Sequence, residues 1–327
     1  MSPGKPGKIN PDCHFMNYSK PLNGLIAAVF TPFKEDGEIN PAIVPQYAAR
    51  LKQQGVAGVF VNGSSGEGMM LSVQERKTLA EAWMPFKEDN FKIIIHVGST
   101  SVKISQDLAA HGQSIGADAI ACMAPSFFSS SDVNVIIGYC RDVALSAPDL
   151  PFYYYHLPVI TGAHIKVHQL LDLGSKTIPN LAGVKFTYTD FMDMHQCIAL
   201  QDGRFDVLHG HDEILINGLI LGVKGAIGTT FNFIPEIYLK IMEAYDNKDF
   251  EQARAYQMKS IRIVAVMLKY VNAIVGGKAI LKLSGIDCGP CRTPLRNLTE
   301  QEMSALQRDL VEVGYFTMLE EFRLLNV

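Results

Sequence analysis

Short apolar runs rich in β-branched residues alternate with longer amphipathic stretches along this chain, and the alternation repeats eight times. The runs begin near Leu25, Gly58, Ile93, Ala119, Phe152, Leu181, Phe205 and Gly225. Near-continuous apolar strands separated by helices are buried on both faces, which means a parallel sheet covered by helices. Eight such units fit a closed (β/α)8 (TIM) barrel, a fold that takes about 250 residues. An open doubly wound sheet is the competing arrangement. Its nucleotide fingerprint is missing, because Gly63-Ser-Ser-Gly-Glu-Gly68 has the wrong glycine spacing for GxGxxG. The chain therefore reads as α/β, with the barrel over residues 21–249 and a C-terminal helical extension over 250–327.

Several helix starts are marked. Residues 73–87 carry helical spacing, with Val73, Leu79, Ala80 and Trp83 apolar and Glu75, Arg76, Lys77 and Glu81 polar. Ser72 precedes them with Glu75 at capping-box spacing. Ser101 and Asp132 are candidate caps for the next two helices. After Phe250 the alternation stops, and residues 250–275, 277–284 and 299–325 read as helices, the last capped by Thr299 with Glu302 three positions on. Residues 1–20, with Pro3, Gly4, Pro6, Gly7 and Pro11, read as a flexible tail without an apolar signal-peptide core.

Charge and cysteine use narrow the function classes. With 19% charged residues, a formal net charge of −4 and no basic stripe, a nucleic-acid partner is not expected. The apolar runs are too short to span a bilayer, so no membrane partner is expected either. Lacking a secretory signal, the six cysteines read as free thiols in a reducing cytosol, and the expected location is cytoplasmic. Cys288-Gly-Pro-Cys291 can be half of a zinc site or a redox pair. No second CxxC accompanies it, and it follows Leu-Ser-Gly-Ile rather than opening a helix after a strand, so a structural role is preferred.

In such a barrel the chemistry lies at the carboxyl ends of the strands. Leu181-Ala-Gly-Val-Lys-Phe-Thr187 places Lys185 near the end of the sixth strand, with Thr187 on the same face. An amine kept among Val184 and Phe186 loses hydration, and desolvation favours the neutral form that Schiff-base chemistry uses. The bland alternative is a strand-end lysine that leads its ammonium out to water. Val59-Phe-Val-Asn-Gly-Ser-Ser-Gly-Glu67 ends the second strand, and its Ser64 and Ser65 hydroxyls and backbone N–H groups suit an anion; an ordinary Gly/Ser turn has the same composition. Phe152-Tyr-Tyr-Tyr-His-Leu-Pro158 sets Tyr153 and Tyr155 on one face, so a phenol at the mouth can exchange protons, or all three rings can simply pack. His156 points away from Tyr155 and reads as structural. His209-Gly-His-Asp-Glu213 brings Asp212 and Glu213 to a helix start, as acceptors for substrate hydroxyls or as a helix cap. Ala226-Ile-Gly-Thr-Thr-Phe-Asn232 adds Thr229. No His/Cys/Asp/Glu set stands at metal-ligand spacing, so a metal-free site is expected.

Gly63-Ser-Ser-Gly-Glu67, Tyr155-His-Leu-Pro158, Val184-Lys-Phe-Thr187 and Gly210-His-Asp-Glu213 come in the order and spacing of the class I pyruvate-dependent aldolases. That family includes dihydrodipicolinate synthase and N-acetylneuraminate lyase. The resemblance covers residues 22–298 and is closer to the animal-type N-acetylneuraminate lyase (sialic acid aldolase) branch, carried by Pro151-Phe-Tyr-Tyr-Tyr-His-Leu-Pro158, Phe60-Val-Asn-Gly63 and Ile94-Ile-His-Val-Gly98. Ile160 stands where the synthase branch has a dicarboxylate-binding arginine. The resemblance implies reversible cleavage of N-acetylneuraminate to pyruvate and N-acetyl-D-mannosamine, a covalent Schiff base with no cofactor, and a homotetramer. It implies Lys185 as the Schiff-base amine, Tyr155 with Ser64 as proton relay, and Ser64 and Ser65 as the carboxylate pocket. Thr187 would orient the C4 hydroxyl, while Gly210, Asp212, Glu213 and Thr229 would contact the sugar.

This chain departs from the family pattern in three places. Ser65 replaces a threonine, Thr229 replaces a serine, and Phe127 and Phe128 occupy the region where the synthase branch places a tyrosine reaching into the neighbouring subunit's relay. Cys288-Gly-Pro-Cys291 overlaps the family's Gly-Pro-x-Arg-x-Pro-Leu segment at 289–295, which favours structural cysteines. The alternatives are a pyruvate aldolase for another 2-keto-3-deoxy sugar acid or 4-hydroxy-2-oxoglutarate, and a non-catalytic sugar-acid binder. The latter predicts loss of the lysine or the tyrosine, and both are present.

Overall fold

The computed structural model describes residues 21–325, with side chains described as far as 322; the tail expected over 1–20 lies outside them. Eight parallel strands close in sequence order: β1 Gly24–Ala28, β2 Gly58–Val61, β3 Lys92–His96, β4 Ala119–Met123, β5 Phe152–His156, β6 Leu181–Phe186, β7 Asp206–His209 and β8 Gly225–Gly228. The expected starts fall within one residue of these. β1 pairs with β8 as well as β2, so no edge is left open.

Strand alternation divides the core in two. Ile26, Phe60, Ile94, Ala121, Tyr153, Tyr155, Leu208 and Ile227 fill the barrel interior. Their neighbours, including Leu25, Val59, Ile93, Cys122, Tyr154, Val184 and Val207, face the surrounding helices. The marked helix starts behave as capping chemistry requires. Ser72 and Glu75 form a reciprocal capping box at Val73–Trp83, and Ser101 and Asp132 cap Val102–Ser114 and Val133–Ala144. The segment expected as helix to residue 87 tightens into a 3-10 turn at Met84–Phe86, where Pro85 intervenes.

The C-terminal helices are Phe250–Lys269, Ala273–Leu283, Glu300–Glu312 and Tyr315–Leu325. Two expected boundaries are corrected here. The first break falls at 270–272 rather than near 276, because Val271 takes φ 64° and the Asn272 side chain caps Ile274 and Val275. The stretch expected over 299–325 is two helices divided at Gly314, whose φ of 75° ends the first. No single helix among the described residues is long and apolar enough to cross a membrane.

At the amino ends of the strands the Tyr153 phenol donates to Asp206 at 2.9 Å, and the Leu22 N–H donates to the same carboxylate oxygen at 2.8 Å. A cavity of about 370 Å³ opens beside this pair. Burial raises the Asp206 carboxyl to about 6, against the opposing effect of these two bonds and Lys224. A carboxyl raised on folding holds its proton longer in the folded state, so its contribution is present at low pH and lost as pH rises from about 4 toward 6. Asp206→Asn should remove that loss, and the variant's melting temperature relative to wild type should climb across this interval. A difference that stays flat there would contradict the assignment.

Candidate active site

β5, β6 and β7 are in register with Tyr155 beside Lys185 and Lys185 beside Leu208. Alternation therefore turns Lys185 into the barrel, where its side chain is buried and the residue only 4% exposed. The Lys185 Nζ lies 4.1 Å from the Tyr155 ring centroid and 4.5 Å from that of Phe60. These two rings meet edge to face at 5.7 Å. The amine thus sits in an aromatic cradle rather than in water, and the solvent-directed alternative is set aside.

The loop after β2 supplies hydroxyls from across the barrel mouth. Ser64 Oγ lies 3.4 Å from the Tyr155 phenol, and Ser65 Oγ lies 2.7 Å from Thr229 Oγ1 at the end of β8. The loop closes on itself through Glu67 N–H to Ser64 carbonyl and Gly68 N–H to Gly63 carbonyl, both 3.1 Å. The N–H groups of Ser64 and Ser65 donate to no acceptor among the described residues. Two hydroxyls and two unspent amide donors on one loop are what a carboxylate requires. The Ser65–Thr229 bond makes a test available. Ser65→Ala and Thr229→Ala should each weaken turnover, and their double variant should fall short of additivity by about 0.5–1.5 kcal/mol. Strictly additive losses in kcat/KM would show that the two hydroxyls act separately.

Thr187 follows β6 on the same face as Lys185, and its Oγ1 is buried without a partner among the described residues. Gly210 lies against it: a Cβ there would fall 1.9 Å from Thr187 Oγ1, so only glycine leaves this hydroxyl in place. Asp212 and Glu213 open a 3-10 turn, yet neither caps it. One Asp212 oxygen accepts both the N–H and the hydroxyl of Thr230, at 2.7 and 2.6 Å. Burial, with the Glu213 charge adding, raises the Asp212 carboxyl to about 6. Asp212 thus anchors the loop after β8, while half-buried Glu213 stays at the mouth.

Two interior residues join the site that the sequence reading passed over. Phe60 forms half of the cradle, and His96, at the end of β3, meets the Tyr155 ring at 5.9 Å. Its Nδ1 faces the Asn62 carbonyl at 3.1 Å, and burial and the Arg76 charge hold the imidazole well below its usual range. Period-2 alternation carries both residues inward with Ile94, so the strand pattern held the signal. His156 packs instead among Tyr154, Phe186 and Tyr188 on the outer side, as expected. Phe127 and Phe128 are 79% and 87% exposed and pack on each other at 5.0 Å. Cys288 and Cys291 are buried free thiols, both pushed up to about 12 chiefly by burial. Among the described residues no three His, Cys, Asp or Glu side chains gather as a metal site.

An inward lysine in an aromatic cradle, flanked by a phenol and an anion-receiving loop at the carboxyl end of a closed barrel, is the arrangement of a Schiff-base aldolase. The family model described as the dihydrodipicolinate synthetase family matches residues 21–313. N-acetylneuraminate lyase from Mus musculus is 41% identical over 302 residues, covering 91% of this chain and 94% of that protein. N-acetylneuraminate lyase from Xenopus tropicalis is 42% identical over 281 residues, covering 84% and 91%. Among solved structures, Proteus mirabilis N-acetylneuraminate lyase superposes with a TM-score of 0.87 at 35% identity, covering 90% of this chain and 99% of that one. A catalytic lysine mutant of Ruminococcus gnavus sialic acid aldolase gives 0.84 at 30% identity, covering 90% and 96%. The chain belongs to the dihydrodipicolinate synthetase family.

Proposed function

We propose that this protein is a carbon–carbon lyase that cleaves N-acetylneuraminate reversibly to pyruvate and N-acetyl-D-mannosamine through a Schiff base on Lys185. The observation that carries the reading is the placement of Lys185, inside the barrel mouth between Tyr155 and Phe60. Similarity to lyases from several vertebrates and bacteria, one solved as a catalytic lysine mutant, supports it.

Lys185 Nζ adds to the C2 ketone. The Tyr155 phenol gives its proton to the departing hydroxyl, which leaves as water, and a protonated imine remains. That cation is the electron sink: the C3–C4 bond breaks, its electron pair passes into an enamine, and the resulting phenolate takes the C4 hydroxyl proton. N-acetylmannosamine leaves as the aldehyde. Protonation at C3 and addition of water then release pyruvate and restore the amine, so no cofactor enters the balance. Ser64 and Ser65 receive the carboxylate, Ser64 also serves the Tyr155 relay, and Thr187 orients the C4 hydroxyl. Gly210, Asp212, Glu213 and Thr229 shape the sugar end, Gly210 and Asp212 by placing Thr187 and the loop after β8.

We infer a homotetramer and a cytosolic location as well. Apolar residues exposed after β4 and β5, namely Phe127, Phe128, Val159 and Ile160, support the assembly, and the five cysteines among the described residues, all free thiols, fit a reducing compartment. The direct test is incubation with N-acetylneuraminate and an assay for pyruvate. Release at a rate proportional to enzyme is expected; none at high enzyme concentration would remove the proposal.

A further inference from the structure

The 63–67 loop is held from behind by a buried ionic group that the mechanism does not use. Glu67 takes φ 56°, a left-handed conformation costly for a residue with a side chain. Its side chain is 0% exposed and faces Lys278, itself 3% exposed, on helix Ala273–Leu283. Glu67 Oε1 accepts from Lys278 Nζ at 3.1 Å, and Oε2 accepts from the Arg292 N–H at 2.8 Å. Lys278 Nζ also donates to the Pro290 carbonyl at 2.8 Å and lies 4.5 Å from the Phe33 ring centroid.

Arg292 continues the network outward. Its guanidinium lies 4.6 Å from the same Phe33 ring, pairs with both oxygens of Glu75, and donates to the Met70 and Gly37 carbonyls at 3.2 and 2.6 Å. The 289–295 segment noted in the sequence is thereby tied to the first turn of the helix that follows the loop. Thr31 Oγ1 holds the Gly66 carbonyl at 2.5 Å from the other side, and a Cβ on Gly66 would fall 2.9 Å from the Val29 carbonyl. The loop is thus held at Gly66 and Glu67, while the N–H groups of Ser64 and Ser65 stay free of acceptors among the described residues.

We infer that Glu67 and Lys278 are positioning residues that hold the 63–67 loop in its carboxylate-receiving shape, linking substrate binding to the C-terminal helices. The inference rests on the proposed function, in which this loop takes the carboxylate of the keto acid. Glu67 lies two residues beyond Ser65, so the loss of its anchors lets the left-handed turn relax and the amide donors diverge. Lys185 and Tyr155 stand on strands of their own and keep their places, so the loop reaches the chemistry only through Ser64, whose hydroxyl lies 3.4 Å from the phenol and assists rather than reacts.

The consequence is a split between binding and chemistry. Full-length wild type, Glu67→Gln and the double variant Glu67→Gln/Lys278→Met would be treated with borohydride over a range of pyruvate concentrations, and covalent capture at Lys185 followed. Both variants should need about tenfold more pyruvate for half-maximal capture, with the saturated rate within about threefold of wild type. The double variant removes both buried charges together and keeps the test open if Glu67→Gln alone fails to fold. A folded variant that saturates at the wild-type concentration, or that loses only the saturated rate, would overturn the inference. So would unfolding of both variants, which would make the pair a requirement of the fold. Wild type that captures no pyruvate would instead overturn the aldolase reading.

Discussion

Lys185→Ala is expected to slow N-acetylneuraminate cleavage by on the order of 10⁵-fold, because it removes the only group proposed to bond the substrate covalently. Without an imine there is no cation to accept the C3–C4 electron pair, and no neighbour can replace it: Phe60 and Tyr155 offer rings, and Ser64 and Ser65 offer hydrogen bonds. The fold should persist. The cradle is built from β2 and β5, whose register does not depend on the lysine side chain. Keto-acid binding should also persist in part, since the 63–67 loop is intact. Steady-state pyruvate release with a melting curve measures both. A folded variant that keeps more than about a hundredth of the activity would show that another amine or another mechanism operates.

Tyr155→Phe should cost about 10²- to 10⁴-fold in turnover, the range for losing a positioned proton carrier. The substitution is clean, because the ring keeps its edge-to-face contact with Phe60 and its place against Lys185 while only the hydroxyl goes. Imine formation and bond cleavage should slow together, as one phenol is asked to donate in the first step and accept in the second. Ser64→Ala should cost less, since its hydroxyl lies 3.4 Å from the phenol and assists rather than reacts. Phe127 and Phe128, mostly exposed and packed on each other, bring no phenol to the relay of their own chain. If Tyr155→Phe retained wild-type turnover, the proton route would have to pass through the substrate's own carboxylate.

The barrel was legible because its constraint is periodic. Alternation of period two places Lys185, Tyr155 and Thr187 on the inner face without any knowledge of contacts. The helix boundary at 270–272 was not, since Val271 continues an apolar pattern and nothing in its type announces a positive φ. Phe60 and His96 were overlooked for a related reason: inward aromatic residues on strands usually fill a core, and only the neighbouring amine gives them a role. Asp212 reads as a substrate acceptor, yet it gives one oxygen to Thr230, a partner 18 residues away. Glu67 with Lys278 lies further still from local reasoning, at a separation of 211 residues. Ser65 and Thr229, noted singly as departures, proved to be hydrogen-bonded to each other.

The central claim is that Lys185 forms the covalent bond. Reducing the wild-type protein with borohydride in the presence of pyruvate and mapping the modified peptide tests it directly. The account predicts one reduced pyruvyl adduct per chain, on Lys185, and none in Lys185→Ala. An adduct on a different lysine, or no adduct from an enzyme that still releases pyruvate, would contradict it.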